Sequence, residues 1–316
     1  MDNLLILFDV PILVVQLLID GILVGAIFAL AAYGMALVWG VMNVINIAQG
    51  EFVILGGFVS WFLSTPMQIA FQWRWIDIDF FKPGIHPLLT APFAAAVLFG
   101  VGWVIYRVVI IRVVDKDLFI SLLATFGISI LLAQLMNEVF GADIRNTNPG
   151  LDTWFLFEDM VTVAEIKVVA FVLAIALGTL LVLFLKLSRL GQAIRATAQN
   201  ARAASIMGID TDRVYATTFA LNAAICGAAG ALVAMTWVIH PYFGLAYTVR
   251  SFMIVIIAGL GNIAGVVAVG FGLGAAEYFA GFVLGAEFQA AFLFSLLVVI
   301  LVVRSLLLAR QRRYLK

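Results

Sequence analysis

Eight stretches of this sequence contain no Asp, Glu, Lys or Arg: 21–50, 52–73, 84–106, 118–137, 168–185, 214–249, 251–276 and 288–303. About 20 apolar residues in a helix cross the hydrocarbon core of a bilayer, and most of these stretches reach that length. In lipid, only helices and closed barrels satisfy their own backbone polar groups, and a barrel strand alternates polar and apolar residues over about ten positions. These runs do not alternate. The expectation is an all-α, polytopic integral membrane protein with about 8–10 transmembrane or partly inserted helices. Composition agrees, because 65% of the 316 residues are hydrophobic and 11% are charged, against about 45–50% and 25% in a soluble domain.

Lys and Arg in short loops mark the cytoplasmic side of a membrane protein. Three segments carry them here: 107–117 with Arg107, Arg112 and Lys116; 186–213 with Lys186, Arg189, Arg195, Arg202 and Arg213; and the tail from Arg304 to Lys316. The segment 138–165 is acidic, with Glu138, Asp143, Asp152, Glu158, Asp159 and Glu165, and is placed outside. Helices near 88–109, 118–139, 167–186 and 214–238 then alternate in direction. A short helix near 251–260, a turn at Gly259-Leu260-Gly261-Asn262, and helices near 265–285 and 287–303 return the chain to the inside. The first 64 residues contain no Lys or Arg, so loop charge does not orient them. The region from Val10 continues past any cleavage site and is read as retained membrane helix, not a cleaved export signal. Trp73, Trp75, Phe80 and Phe81 read as rings at headgroup level in the connection 65–87.

Small residues recur at four-residue spacing in Gly21/Gly25, Gly261/Gly265, Gly270/Gly274 and Gly281/Gly285, a spacing that lets helix backbones approach closely in lipid. Several chemistries are missing. No Gly-x-x-x-x-Gly-Lys-Ser/Thr sequence binds nucleotide, no His or Cys pair has metal-ligand spacing, and Cys226 stands alone. His86 and His240 fall beside prolines in loops. The basic residues are spread among short loops and do not form a phosphate-binding surface, so no nucleic-acid partner is expected.

The loop 186–213 is distinctive. From Gly191 to Met207 it has alanines, long polar residues and no proline, with Ile194, Ala198, Ala201, Ser205 and Ile206 on one face, which predicts a short amphipathic helix. Gly208 supplies a left-handed ending, and Asp210, Thr211 or Asp212 caps the next membrane helix. Arg202-Ala203-Ala204-Ser205-Ile206-Met207-Gly208 matches the Glu-Ala-Ala-x-x-x-Gly pattern of ABC importer permeases except for its first residue. A helix lying flat on the membrane is the competing reading.

Together, Gly21–Phe58, Leu122–Gln134, this loop and Phe252–Glu277 resemble the LivH-type permease family, the membrane subunits of branched-chain amino acid ABC transporters. Asn46-Ile47-Ala48-Gln49-Gly50-Glu51 looks like that family's Asn-x-Ala-His/Gln-Gly-Glu/Asp motif. Arg202 departs from the pattern, and Val303-Arg304-Ser305 lacks the proline that often follows the last helix. The resemblance implies a single membrane permease domain over 1–316 in the bacterial inner membrane, with 186–213 a cytoplasmic coupling loop and 138–165 periplasmic. It also implies a second permease subunit of LivM type, two cytoplasmic ATPase subunits that bind the ATP, and a periplasmic solute-binding protein. No cofactor or metal belongs to this chain itself.

Asn43, Asn46, Gln49 and Glu51 lie within nine positions between apolar flanks, and polar groups at membrane depth are costly unless they meet partners or water. A break between two helices there offers a place for small polar solutes to pass. The alternative is that Asn46 caps the next helix and Glu51 complements its dipole. Arg195, Arg202, Ala203, Ala204 and Gly208 are the coupling candidates. Glu277 and Glu287 are placed near helix ends. The leading expectation is an importer permease for branched-chain or other apolar amino acids, not itself an enzyme; a urea or short-amide importer permease, a self-sufficient secondary carrier and a structural subunit are the competing readings.

Overall fold

A computed structural model describes residues 6–7, 9–65, 84–114, 116–156, 160–259 and 262–314. The aromatic connection around Trp73 and Phe80 and the glycine at 261 lie outside these residues. Eleven α-helices form among the described residues: α1 (Ile12–Met42), α2 (Gln49–Ser64), α3 (Thr90–Val108), α4 (Leu118–Phe140), α5 (Glu165–Leu187), α6 (Arg189–Gln199), α7 (Ala201–Ile206), α8 (Thr211–Thr236), α9 (Gly244–Ala258), α10 (Ile263–Leu284) and α11 (Gln289–Tyr314). Six of them are long and apolar enough to cross a membrane, and α9 and the apolar part of α11, Ala291–Leu306, are shorter apolar helices. The chain is an all-α, polytopic membrane protein.

From Val24 to Val38 helix α1 is apolar on every side, as expected for a helix surrounded by other helices, and nearly every residue there is buried. Its start is tied to the hairpin β1 (Thr153–Leu156) and β2 (Val161–Ala164): the Gln16 side chain donates to the Thr162 carbonyl at 2.7 Å and accepts from its amide at 2.8 Å. Four residues on, Asp20 accepts from Lys167 Nζ of α5 at 2.6 Å. The last turns of α1 pack beside Leu185 of α5 and Ile194 of α6. So α1 runs from a hairpin end to a basic end.

The other helices alternate between these ends. The loops 107–117 and 186–213 lie at the basic end and the segment 138–165 at the hairpin end, where Arg145 bridges Ile239 just beyond α8. Arg304 of α11 donates to the Ile256 carbonyl near the end of α9, so α11 also finishes at the basic end. Among the described residues, the hairpin and the isolated Arg145–Ile239 bridge depart from an all-helical reading.

Two of the glycine pairs form one seam. A Cβ on Gly21 would come within 2.5 Å of the Ala275 Cα, and one on Gly25 within 2.5 Å of the Gly270 oxygen, so α1 and α10 pack antiparallel at backbone contact. Gly265 and Gly281 instead face the side chains of Asn262 and Gln289, and Gly285 takes a positive φ of 98° where α10 ends. Asn262 caps α10 by accepting from the Gly265 amide at 3.0 Å.

Two expectations about local structure are corrected. The helix expected at about 251–260 begins earlier, at Gly244, because Arg250 is not a boundary; its charge is met inside the bundle. Its partner, Glu277, is not near a helix end but in the body of α10, 5% exposed, and its carboxylate takes two hydrogen bonds from the Arg250 guanidinium. The single amphipathic helix expected over Gly191–Met207 is two helices. Asn200 breaks it with extended dihedrals, φ −159° and ψ 100°, and its side chain accepts from the Ala203 amide at 2.9 Å. An Asn side chain competes with the helix for backbone partners in this way.

Candidate functional site: a polar break between half-length helices

Helix α1 ends at Asn43, which adopts the left-handed conformation with φ 52° and ψ 32°. Asn tolerates this region better than most residues, because its short polar side chain bonds locally. The chain then turns back along α1. Segment 44–48 is pinned from two sides: Thr125 Oγ1 of α4 donates to the Ile45 carbonyl at 3.0 Å and accepts from the Ile47 amide at 3.2 Å. Thr248 Oγ1 of α9 donates to the Ile47 carbonyl and accepts from the Gly50 amide, each at 2.8 Å.

The return brings Gln49 beside Ala31, whose carbonyl accepts from Gln49 Nε2 at 2.8 Å. Helix α1 is roughly 46 Å long at 1.5 Å per residue, and Ala31 is about 28 Å from its start. A hydrocarbon core of about 30 Å therefore contains Ala31 wherever α1 is centred. Helix α2 thus begins within the membrane and runs to the hairpin end. Helix α9 also begins there, since a Cβ on Gly50 would overlap the Gly244 carbonyl oxygen, and it runs to the basic end. The amino termini of two half-length helices meet within the membrane.

Around this junction sits a buried polar cluster. Asn46 Nδ2 donates to Gln49 Oε1 at 3.3 Å, Gln49 Nε2 also reaches Cys226 Sγ at 3.0 Å, and Cys226 lies 3.7 Å from Asn222 Oδ1, both on α8. Asn46, Gln49, Asn222 and Cys226 are fully buried. A Cβ on Gly34 of α1 would meet Asn222 Oδ1 and Gln49 Nε2, so the absence of a side chain there makes room for the cluster. Glu51 is 5% exposed, packs against Gly244 and faces Ser129 of α4. Among the described residues, Asn46 Oδ1, Glu51 Oε2, Asn222 Nδ2 and Ser251 Oγ have no hydrogen-bond partner. Groups left so in a dry interior cost about 1–3 kcal/mol each.

The sequence candidates divide. Asn46, Gln49 and Glu51 come together. Asn43 does not; it is exposed at the basic end, about 18 Å along α1 from Ala31. Asn46 does not cap α2, whose cap position is Ala48 with no side-chain bond. Thr125, Thr248, Asn222 and Cys226 were not singled out for this site. Their signal in the sequence is faint, since a lone Thr or Cys in an apolar helix often bonds its own backbone.

A second region lies at the basic end. Ser188 caps α6 by accepting from the Gly191 amide at 2.8 Å. Gly208, at φ 86°, gives the left-handed ending expected, and Asp210 caps α8 by accepting from the Arg213 amide at 3.1 Å. Arg202, Ala203 and Gly208 are exposed, while Ala204 is 5% exposed and turned toward the protein. Ala204 therefore does not belong to an outward face, because the break at Asn200 rotates α7 relative to α6. Ile206 and Met207 are the most exposed apolar residues there, at 80% and 82%. Arg195 turns back, its Nη2 donating to the Lys186 carbonyl at 3.3 Å.

Comparison with known proteins places this geometry. Residues 17–303 match the family described as branched-chain amino acid transport system / permease component. The chain is 31% identical over 300 residues to the high-affinity branched-chain amino acid transport system permease protein LivH of Escherichia coli (strain K12), covering 91% of this chain and 92% of that protein. The LivH protein of Salmonella typhimurium matches to the same extent. The permease protein BraD of Pseudomonas aeruginosa is 28% identical over 299 residues, 92% and 93% of the two chains. No solved structure matches. Similarity over nine-tenths of both chains agrees with the resemblance carried by 46–51 and 202–208, and the chain belongs to the branched-chain amino acid transport permease family.

Proposed function

We propose that this chain is the membrane-spanning permease subunit of an ATP-driven importer for branched-chain or other apolar amino acids. The relatives named above, each a branched-chain amino acid transport permease over nearly its whole length, carry the reading. The chain forms half of a translocation pathway with a second permease subunit of LivM type. A periplasmic binding protein delivers the substrate at the hairpin end. Two cytoplasmic ATPases bind and hydrolyse ATP at the basic end, so the chain is not itself an enzyme and holds no cofactor. The basic loops 107–117 and 186–213 face the cytoplasm of a bacterial inner-membrane protein, and 138–165 faces the periplasm.

Asn46, Gln49 and Glu51 line or gate the pathway. In support, they sit where two half-length helices start within the membrane, where irregular backbone is tolerated only against protein or a wet cavity. A carboxylate facing hydrocarbon would cost a few kcal/mol. Asn43 lies at the cytoplasmic mouth.

The segment Arg202–Gly208 docks on an ATPase through Arg202, Ala203, Ile206 and Met207, while Gly208 sets the angle at which the chain enters α8. Ala203→Trp obstructs this surface, and Gly208→Val forces a β-branched residue into a left-handed conformation at roughly 1–2 kcal/mol. In both variants the permease pair is expected to form while ATPase co-purification and substrate-stimulated hydrolysis fall together. Normal ATPase association in both would make this loop a surface helix and remove the coupling role.

A further inference from the structure

The last turns of α1 and α5, the start of α10 and one face of α6 enclose a crevice of about 230 Å³. Its walls are apolar, among them Leu37, Val41, Leu185 and Val266. A Cβ on Gly40 of α1 would meet nothing within 4 Å, so the floor is open. Lys186 and Arg195 also line the crevice and are exposed. Among the described residues neither makes an ion pair. Lys186 lies in the last turn of α5, which at 23 residues is about 34 Å long against a hydrocarbon core of about 30 Å, so these helix ends reach the headgroups and the apolar slot is bordered there by two cations.

We infer that this crevice binds an anionic phospholipid, one acyl chain entering the slot over Gly40 and the phosphodiester held by Lys186 and Arg195. The charge arrangement selects the ligand. Basic clefts between membrane helices on the cytoplasmic side attract anionic headgroups, and a zwitterionic headgroup would bring a cation to the same two residues. The Arg fork donates to phosphate oxygens in parallel while Lys acts as a point charge. Because α6 is one wall, occupancy fixes the loop that leads to Arg202, and the lipid becomes part of the support of that loop.

The test is native mass spectrometry of the assembled transporter taken from vesicles of phosphatidylcholine and phosphatidylglycerol. The wild-type chain is expected to retain phosphatidylglycerol in preference to phosphatidylcholine. Lys186→Gln with Arg195→Gln should lower that preference by about tenfold or more. Gly40→Leu should lower it with both charges in place, and Arg195→Lys should keep most of it. A photoactivatable side chain at position 40, in an otherwise unaltered chain, should cross-link to phosphatidylglycerol, which covers the case of a variant that fails to assemble. Equal retention of both lipids by wild type, no change in the double and Gly40→Leu variants, displacement of the lipid by inorganic phosphate, or a cross-link to a partner polypeptide would each overturn the assignment.

Discussion

Gly50 is the position where one methyl group matters most. Its Cβ would overlap the Gly244 carbonyl, so Gly50→Ala drives the two half-length helices apart at their starts. Overpacking of this kind costs about 3 kcal/mol where backbone must move. Gly272 on α10 is an internal control, because a Cβ there meets nothing within 4 Å, and in a helix Ala is favoured over Gly by roughly 0.5–1 kcal/mol. Thermal unfolding in detergent should show a large fall for Gly50→Ala and an unchanged or raised midpoint for Gly272→Ala. At the neighbouring side chains the expected effect is on transport. Glu51→Gln keeps the shape and removes the charge, so uptake should fall while assembly is intact, and Gln49→Ala should fall further, since it strips partners from Asn46, Ala31 and Cys226 together. Normal uptake in both variants would remove these residues from the pathway.

Helix α9 shows why some elements were legible in the sequence and others were not. Residues 214–276 carry a single charged residue, Arg250, and a charge between two apolar runs predicts the edge of a membrane helix. The structure puts it inside α9, paired with Glu277 and placed over the rings of Phe28 and Tyr247 at 4.9 and 5.3 Å. A lone Arg in so long an apolar stretch demands a buried partner, and Glu277 is the next acid along. Arg250→Ala leaves the Glu277 carboxylate buried without a partner, which costs about 3–5 kcal/mol, whereas replacing both by apolar residues of similar volume is often near neutral. The single variant should lower the unfolding midpoint strongly, and Arg250→Met with Glu277→Leu should recover most of the loss. A single variant as stable as wild type would mean that α9 is held by packing alone. The break after Asn43 was legible because four polar residues crowd one apolar run. The kink at Asn200 was not, because the alanines on either side favour continuing the helix and only the capping geometry reveals the competition. The β-hairpin was hidden for a similar reason: the two strands that pair Trp154 with Val163 are only four residues each, and the acidic composition of 138–165 does not mark them.

Across the whole molecule, charge-free runs located most of the membrane helices, and loop charge sorted the connections onto two ends that the packing reproduces. What loop charge did not reach was the first helix, because no Lys or Arg precedes position 74; the ties from Gln16 and Asp20 put its start beside the hairpin. The central claim is that this molecule is one half of a pathway driven by ATPases on other chains. The most direct measurement is uptake of radiolabelled leucine into proteoliposomes holding this permease, its second permease subunit and the ATPases, with the binding protein outside and ATP sealed within. The account predicts accumulation that requires ATP, the binding protein and every subunit, and none with this chain alone. Leucine uptake by this chain alone, or uptake by the full assembly that does not need ATP, would contradict it.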